Sequence, residues 1–499
     1  MKLIVKDVNL STGGPYVAIL NTEDAEKLDL NSLDRVRLTT DGRELVVFLD
    51  ISKKGIKPGQ IGLFEEVLKA LKLRNNNLIN VYHQKKPESI YLIRKKLSGD
   101  KLNGKEIEEI IKDVVVNKLS AVDLTYFVSA CYTRELEDDE VLNLINAMIK
   151  YGGSLGIKQK MVLDKHCVGG VANNRTTMLV VPIIAAAGYT IIKTSSRSIT
   201  SPSGTSDTME VLSPVALNRD KIKKVVKKTN ACIVWGGAIE LASADDAFIN
   251  IERVLSLDPE GMLLASILAK KKSVGSTHIL IDIPVGVGAK FEDMKKARRL
   301  SKRFASIGKK LGMKVKAIIT DGSQPVGNGI GPVLEARDVL AVLNGNGPED
   351  LRNKALHMAE LILEMAGAKD GKKLATEILD SGKALKKMRQ IIKAQGGNPN
   401  ITPERLVPGR HRHDVCAEKD CIIREINNKN ISKLARIAGA PKDKAAGVYL
   451  HYHVGQRIKK GDVMFTVYTE NKRKLEFVKD FLSKIKVIEA VENGFERKD

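Results

Sequence analysis

Aromatic residues are scarce in this chain: one Trp, ten Tyr and ten Phe make up 4% of 499 residues. A groove that binds nucleic acid interleaves basic side chains with aromatic ones on which bases stack. Here the basic side chains come without the aromatics. Lys and Arg number 82 against 60 Asp and Glu, a formal net charge of +22. Most of it is Lys spread over helix-like segments, which fits solvated helix faces and anionic-ligand sites better than a nucleic-acid groove. Cysteine is scarce as well. Cys131, Cys167, Cys232, Cys416 and Cys421 are odd in number and scattered, which argues against a disulfide framework and fits a reducing compartment. No apolar run is long enough to span a bilayer, and Met1 leads straight into a strand-like segment without a signal-peptide pattern. A cytoplasmic protein with no membrane partner is expected. His411, His413, Cys416 and Cys421 cluster, as do His451 and His453. Their spacing is not the paired C-x₂₋₄-C of closed zinc sites, so no metal is expected.

What is present is a succession of different periodicities. The length suits roughly two to four domains. Residues 1–85 read as mainly β: Val36 to Thr40, Asp41-Gly42, then Arg43 to Ile51 has the form of a hairpin with a tight turn. From Glu88 the period becomes helical, with Ile107, Ile110, Ile111 and Val114 on one face and Val141, Leu144, Ile145 and Met148 on another. From Lys160 to about residue 400, strands alternate with helices, which implies a doubly wound α/β lobe. Short strands return from about residue 405, with a closing helix.

The α/β region opens on Asp164-Lys165-His166-Cys167-Val168-Gly169-Gly170, between the apolar strand Met161 to Leu163 and the apolar helix Met178 to Ala187. Adjacent glycines let a backbone approach an anion closely and aim its N–H groups at it. A following helix N-terminus adds free donors. Lys165 adds charge, and Thr176 and Thr177 add hydroxyls. The pattern is neither G-x-x-x-x-G-K-[ST] nor G-x-G-x-x-G, so neither an NTPase nor a dinucleotide site is expected. An ordinary strand-to-helix turn remains open at this point.

Three segments in order carry a resemblance. Asp164-Lys165-His166 followed by Gly169-Gly170, then Lys193 to Glu210 with Ser195, Arg197, Gly204, Thr205, Asp207 and Glu210, then Ala265 to Lys271 are similar to the thymidine and pyrimidine-nucleoside phosphorylase family. Within it the chain most resembles the archaeal branch that acts on AMP, over roughly residues 88 to 490. The resemblance implies an α/β protein with additional domains: an N-terminal β-rich accessory or assembly domain (1–85), a helical lobe (88–155, joined by about 244–273), a phosphate- and nucleotide-binding α/β lobe (156–400) and a C-terminal α+β module (405–499). It also implies a cleft that closes on substrates, and a homodimer or larger homo-oligomer.

By position, the resemblance assigns inorganic phosphate to Lys165, Ser195 and Thr205, with His166, Thr176 and Lys270 in support. Nucleotide would be held by Gly170, Thr205, Ser266, Lys290 and the loop Ser196, Arg197, Ser198, Ile199, Thr200, Ser201. The pyrimidine enzymes carry an apolar residue near position 290, and a lysine there supplies a counter-charge for a 5′-phosphate. The family's serine after the histidine is Cys167 here, so one hydroxyl donor is lost. Ser266 and Lys270 match base-side residues, while the arginine used against a pyrimidine has no clean match around Ile251-Glu252-Arg253.

The implied reaction is phosphorolysis of nucleoside 5′-monophosphates: AMP and phosphate give adenine and ribose 1,5-bisphosphate, with CMP and UMP as further substrates. The only expected partners are these small molecules, and no cofactor is needed because phosphate is the co-substrate. The leaving base must be protonated. His166 and Asp258 are the candidates, and the resemblance favours Asp258. An unperturbed Asp, with a pKa of ~3.9, is ionised at neutral pH, so a donor role requires burial or anionic neighbours. Two other readings stay open: a thymidine or uridine phosphorylase, and a basic RNA-binding protein.

Overall fold

The computed structural model describes residues 1–157, 159–198, 201–239 and 241–492. They form two compact units: Met1–Tyr151 with Ala242–Ser266, and Gly152–Leu241 with Ile267–Asp499.

In the first unit the N-terminal strands close into a barrel in the order Lys2–Asp7, Gln60–Leu63, Val17–Asn21, Arg43–Ser52, Arg35–Thr40 and Leu78–His83. Period-two alternation turns Leu3, Val5, Leu20, Leu38, Val47 and Leu49 inward, where all are buried. Thr40 pairs with Arg43 across a two-residue turn in which Asp41 has φ 41° and Gly42 φ 75°. Positive φ at both central positions matches strand twist.

The helices Ser89–Ser98, Gly104–Val115, Ala121–Thr133 and Asp138–Tyr151 follow. Two of them start on reciprocal capping boxes, Asn103 with Glu106 and Ser120 with Asp123. The chain returns to this unit as the helix Ser243–Leu255, whose Phe248 meets Phe127 with ring centroids 5.5 Å apart. Arg35 ties barrel to helices: its Nε donates to Lys118 O at 3.1 Å, and its guanidinium pairs with Asp123. Lys96 Nζ lies 2.9 Å from both carboxylate oxygens of Glu140, and both side chains are buried. Lys96→Met should therefore strand a buried charge and lower unfolding free energy by about 3–5 kcal/mol, measured by urea titration. Adding Glu140→Gln should restore most of the loss.

The second unit is built on a parallel sheet in the order Lys314–Asp321, His278–Val285, Leu163–Cys167, Ile191–Ser195, Ala231–Trp235. Chain order reverses between Leu163–Cys167 and His278–Val285. In such sheets ligands bind beyond the carboxyl ends of the strands at the reversal. The helix Thr176–Ala186 leaves that end and is buried from Thr176 to Ala185, because the helices Glu349–Met365, Gly371–Asp380 and Lys383–Gln395 pack around it. This explains a run with no polar face.

The first of these strands in the chain starts later than its apolar run suggests. It begins at Leu163 and not at Met161, so Asp164, Lys165 and His166 lie within the ladder. The next spans Ile191–Ser195 and so ends on Ser195. Apolar content marks what is buried, but pairing with neighbouring strands decides what is strand.

The C-terminal part of this unit has two small sheets and the helices Asn428–Ala438 and Lys472–Lys484 around a core that includes Ile431, Leu434, Phe465 and Val467. His411 and His413 lie on a strand of one sheet and Cys421 on a strand of the other. Among the described residues no group of three or more His, Cys, Asp or Glu is arranged to hold a metal ion. No described helix is long and apolar enough to cross a membrane.

Candidate active site

The strand Leu163–Cys167 carries ionic side chains into the middle of a sheet, which is tolerable only if each is paired. Asp164 Oδ2 lies 2.8 Å from Lys271 Nζ and accepts from Ser276 Oγ at 3.2 Å. Lys165, 0% exposed, donates to Thr176 Oγ1 at 2.8 Å and lies 3.5 Å from Asp282 Oδ2. Asp282 also accepts from Thr320 Oγ1 at 2.6 Å and Asn174 Nδ2 at 3.2 Å. Burial raises the Asp282 carboxyl, but Lys165, Lys354 and these hydrogen bonds outweigh it and hold it below the ordinary carboxylate range.

Positive charge accumulates beside this pair. Lys193 is buried and donates to Lys165 O at 2.9 Å. Burial, then repulsion from Lys271, pushes its ammonium well below the ordinary lysine value. His166 Nδ1 is buried without a hydrogen-bond partner among the described residues. Burial, then Lys193, Lys271, Lys165 and Lys270, pushes the imidazole well below its ordinary value, so it is neutral at neutral pH. Cys167 accepts from Asn174 Nδ2 at 3.3 Å, and burial and Asp282 push its thiol up to about 11. That is a packed thiol and not a nucleophile.

The turn beyond the strand has Gly169 at φ 102° and Gly170 at φ 93°. A Cβ on Gly170 would lie 2.0 Å from Lys290 N. The turn is thus pressed against the loop that follows the neighbouring strand, on the far side of the order reversal. Asn173 Nδ2 donates to Asp338 Oδ2 at 2.8 Å, Asn174 to Asp282, and Arg175 Nε to Glu335 Oε2 at 2.5 Å. Ala172 N donates to Asn428 Oδ1 at 3.3 Å, and Asn428 Nδ2 donates to Gly322 O at 2.9 Å.

Asp207 organises the next loop. Its carboxylate accepts from Ser198 N at 2.7 Å, Gly204 N at 2.8 Å and Arg197 Nη1 at 3.3 Å. Arg197 is also bonded to both oxygens of Glu210 and lies over the Trp235 ring at 5.0 Å. Arg197 and then Lys444 hold the Glu210 carboxyl down at about 2. Ser195 Oγ donates to Ser196 O at 3.0 Å and accepts from Ser206 N at 3.2 Å. Ser196 is exposed, Ser201 Oγ donates to Ser203 O at 2.6 Å, and Thr205 is buried and accepts from Arg175 Nη1 at 3.2 Å. Ile199 and Thr200 lie outside the described residues.

The second unit therefore brings together Lys165, His166, Gly170, Thr176, Ser195, Arg197, Thr205 and Lys193, with Lys270 half-buried and Lys290 exposed on their own elements. Asp258 and Ser266 belong to the first unit. Asp258 is exposed in the connection before the helix Glu260–Val274, and Ser266 Oγ donates to Asp245 Oδ2 at 2.9 Å.

Three family models match in chain order: the helical bundle domain of a glycosyl transferase family over residues 90–152, its a/b domain over 159–385, and the pyrimidine nucleoside phosphorylase C-terminal domain over 422–488. An AMP phosphorylase of Thermococcus sibiricus is 45% identical over 480 residues, 95% of each chain. This chain belongs to the AMP phosphorylase branch of the pyrimidine-nucleoside phosphorylase family. AMP phosphorylases of Natronomonas pharaonis and Pyrococcus furiosus are 43% and 44% identical, covering 96% and 95% of this chain and 96% and 94% of their own. The anthranilate phosphoribosyltransferase of Thermus thermophilus shares the fold, with a TM-score of 0.51 at 16% identity over 61% of this chain and 99% of its own.

Set beside the motifs of the AMP phosphorylase branch, several site residues have no sequence signal. Asp282, Glu335, Asp338 and Asn428 sit singly in apolar or ordinary helical stretches, and only their buried bonds mark them. Lys193 stands inside a motif but reads as one more lysine among many.

Two outcomes test this geometry. Gly170→Ala should displace the Lys290 backbone and cost activity about 10²-fold, as misplacements near 1 Å do; steady-state assay checks it. His166 has a lowered value when folded, so the unfolded chain binds that proton more readily. Its contribution to stability is then complete above the ordinary histidine value near ~6.5 and is lost as pH falls below it. Thermal melts across that range should show a shallower acid-side decline for His166→Gln.

Proposed function

We propose that this chain catalyses phosphorolysis of AMP: the C1′–N bond breaks, a phosphate oxygen bonds to C1′, and adenine and ribose 1,5-bisphosphate leave. CMP and UMP are proposed as further substrates. The likeness to AMP phosphorylases across 95% of the chain carries this reading. The crowding of Lys165, Lys193 and Lys271 around the first strand supports an anionic ligand, since clustered positive charge attracts anions.

In this scheme Lys165, Ser195 and Thr205 hold inorganic phosphate beneath C1′, with His166, Thr176 and Lys270 in support. Positioning and fixed donors do most of the work, because the phosphate dianion itself stabilises the cationic sugar. Gly170, Ser266, Lys290 and the loop 196–201 hold the nucleotide, with Lys290 countering its 5′-phosphate. Asp258 delivers the proton to the leaving base. Burial among lysines leaves His166 a poor acid, and Asp258, which is exposed, takes the donor role with the phosphate groups of the two substrates as its anionic neighbours. Phosphate is the co-substrate and no cofactor enters the scheme. The chain is further proposed to act in the cytoplasm as a homodimer or larger homo-oligomer, without nucleic acid.

The test is base release from AMP, CMP, UMP, adenosine and thymidine at fixed phosphate. Adenine should appear from AMP in preference to adenosine, and Lys290→Ala should raise KM for AMP while sparing adenosine. Preference for thymidine would instead favour a nucleoside phosphorylase. Asp258→Asn should lose turnover and still bind AMP; near-normal turnover would reject the assignment.

A further inference from the structure

Thr176 and Thr205 are both proposed phosphate ligands, yet their hydroxyls are committed differently. Thr176 Oγ1 accepts from Lys165 Nζ at 2.8 Å and donates to Asn174 Oδ1 at 2.9 Å. An ammonium only donates, so the Thr176 proton is the one given to Asn174. Thr205 Oγ1 accepts from Arg175 Nη1 at 3.2 Å. A guanidinium also only donates, so the hydroxyl is the acceptor there. Among the described residues its own proton has no acceptor.

The guanidinium is itself held on two further sides. Arg175 Nε donates to Glu335 Oε2 at 2.5 Å, and Nη2 donates to the Ser203 carbonyl. Glu335, 0% exposed, also accepts from Thr208 Oγ1 at 2.7 Å and Gly331 N at 3.2 Å. Arg175 is 7% exposed and Thr205 8%. The planar fork is therefore anchored on the helix Pro332–Leu343 and on the loop before Thr205, which aims Nη1 at the hydroxyl.

We propose that Arg175 is a positioning residue: it occupies the acceptor side of the Thr205 hydroxyl, so that the hydroxyl proton is directed to a substrate phosphoryl oxygen, and Glu335 fixes the guanidinium for that task. The ligand chemistry is a phosphate dianion oxygen, which inorganic phosphate and the nucleotide 5′-phosphate share. The inference rests on the phosphorolysis reading, in which Thr205 touches substrate.

A double-mutant cycle tests it, with KM for inorganic phosphate and for AMP measured separately. Thr205→Val should raise one of the two by about 10-fold, as loss of a hydrogen bond to a charged group does, and leave the other within about 2-fold. The substrate affected identifies the oxygen. Thr205→Ser, which restores a hydroxyl, should return KM close to the parent value. Arg175→Met is made together with Glu335→Gln, so that no buried carboxylate is stranded. It should raise the same KM in the parent chain and add little in the Thr205→Val chain. An equal effect in both backgrounds overturns the proposal, because Arg175 then acts through the loop and not through the hydroxyl. So does an unchanged KM for both substrates in Thr205→Val. If the parent chain releases no adenine from AMP, the phosphorolysis reading fails, and the thermal shift produced by inorganic phosphate alone tests the link. Loss of that shift in Thr205→Val and in Arg175→Met/Glu335→Gln supports it; retention in either overturns it.

Discussion

Charged side chains at the centre of a parallel sheet are the constraint that the second unit answers to. A buried ion without a partner costs several kcal/mol, so Lys165 requires Asp282, Asp164 requires Lys271, and Arg175 requires Glu335. Each acid stands on a different stretch of chain from its partner. The pairs consequently pin the first strand, the glycine turn and the helix Pro332–Leu343 to one another. Such fixed donors need little reorganisation on binding the proposed phosphate, and preorganisation of that kind contributes to rate. The expense of burying charge and the readiness of the site have the same physical origin.

Three consecutive residues after the glycines show how local sequence and distant structure combine. Asn173, Asn174 and Arg175 each bond a buried carboxylate, on Asp338, Asp282 and Glu335. Asn173 is held at φ 52°, a conformation Asn tolerates better than most residues. The C-terminal part also contributes to the site. Asn428 bonds Ala172 on the turn, and Lys444 bonds Glu210 beneath the second loop at 2.6 Å. The C-terminal module thus supports both the glycine turn and the loop that follows the next strand.

Legibility followed the range of the interactions. The barrel hairpin was readable because Asp41-Gly42 specifies its own turn, and the helices were readable because capping and apolar spacing act within a few residues. The glycine pair and its flanking lysine and threonines were readable for the same reason. Glu335 lies 160 positions from Arg175, and Asp282 lies 117 positions from Lys165. Nothing near either acid in sequence announces its partner. Arg197 stands in a polar loop whose sequence names no partner, and the folded chain bonds it to Glu210 and Asp207 and lays it over the Trp235 ring.

Composition, periodicity and three spaced motifs were enough to indicate the order of domains, the doubly wound sheet and the family, because each depends on residues close together in the chain. The partner of each buried charge was decided only by tertiary structure. So were the direction in which the Thr176 proton is committed and the acceptor role of Thr205. Those depend on which side chains meet when strands far apart in sequence become neighbours, and a linear pattern carries no record of that meeting.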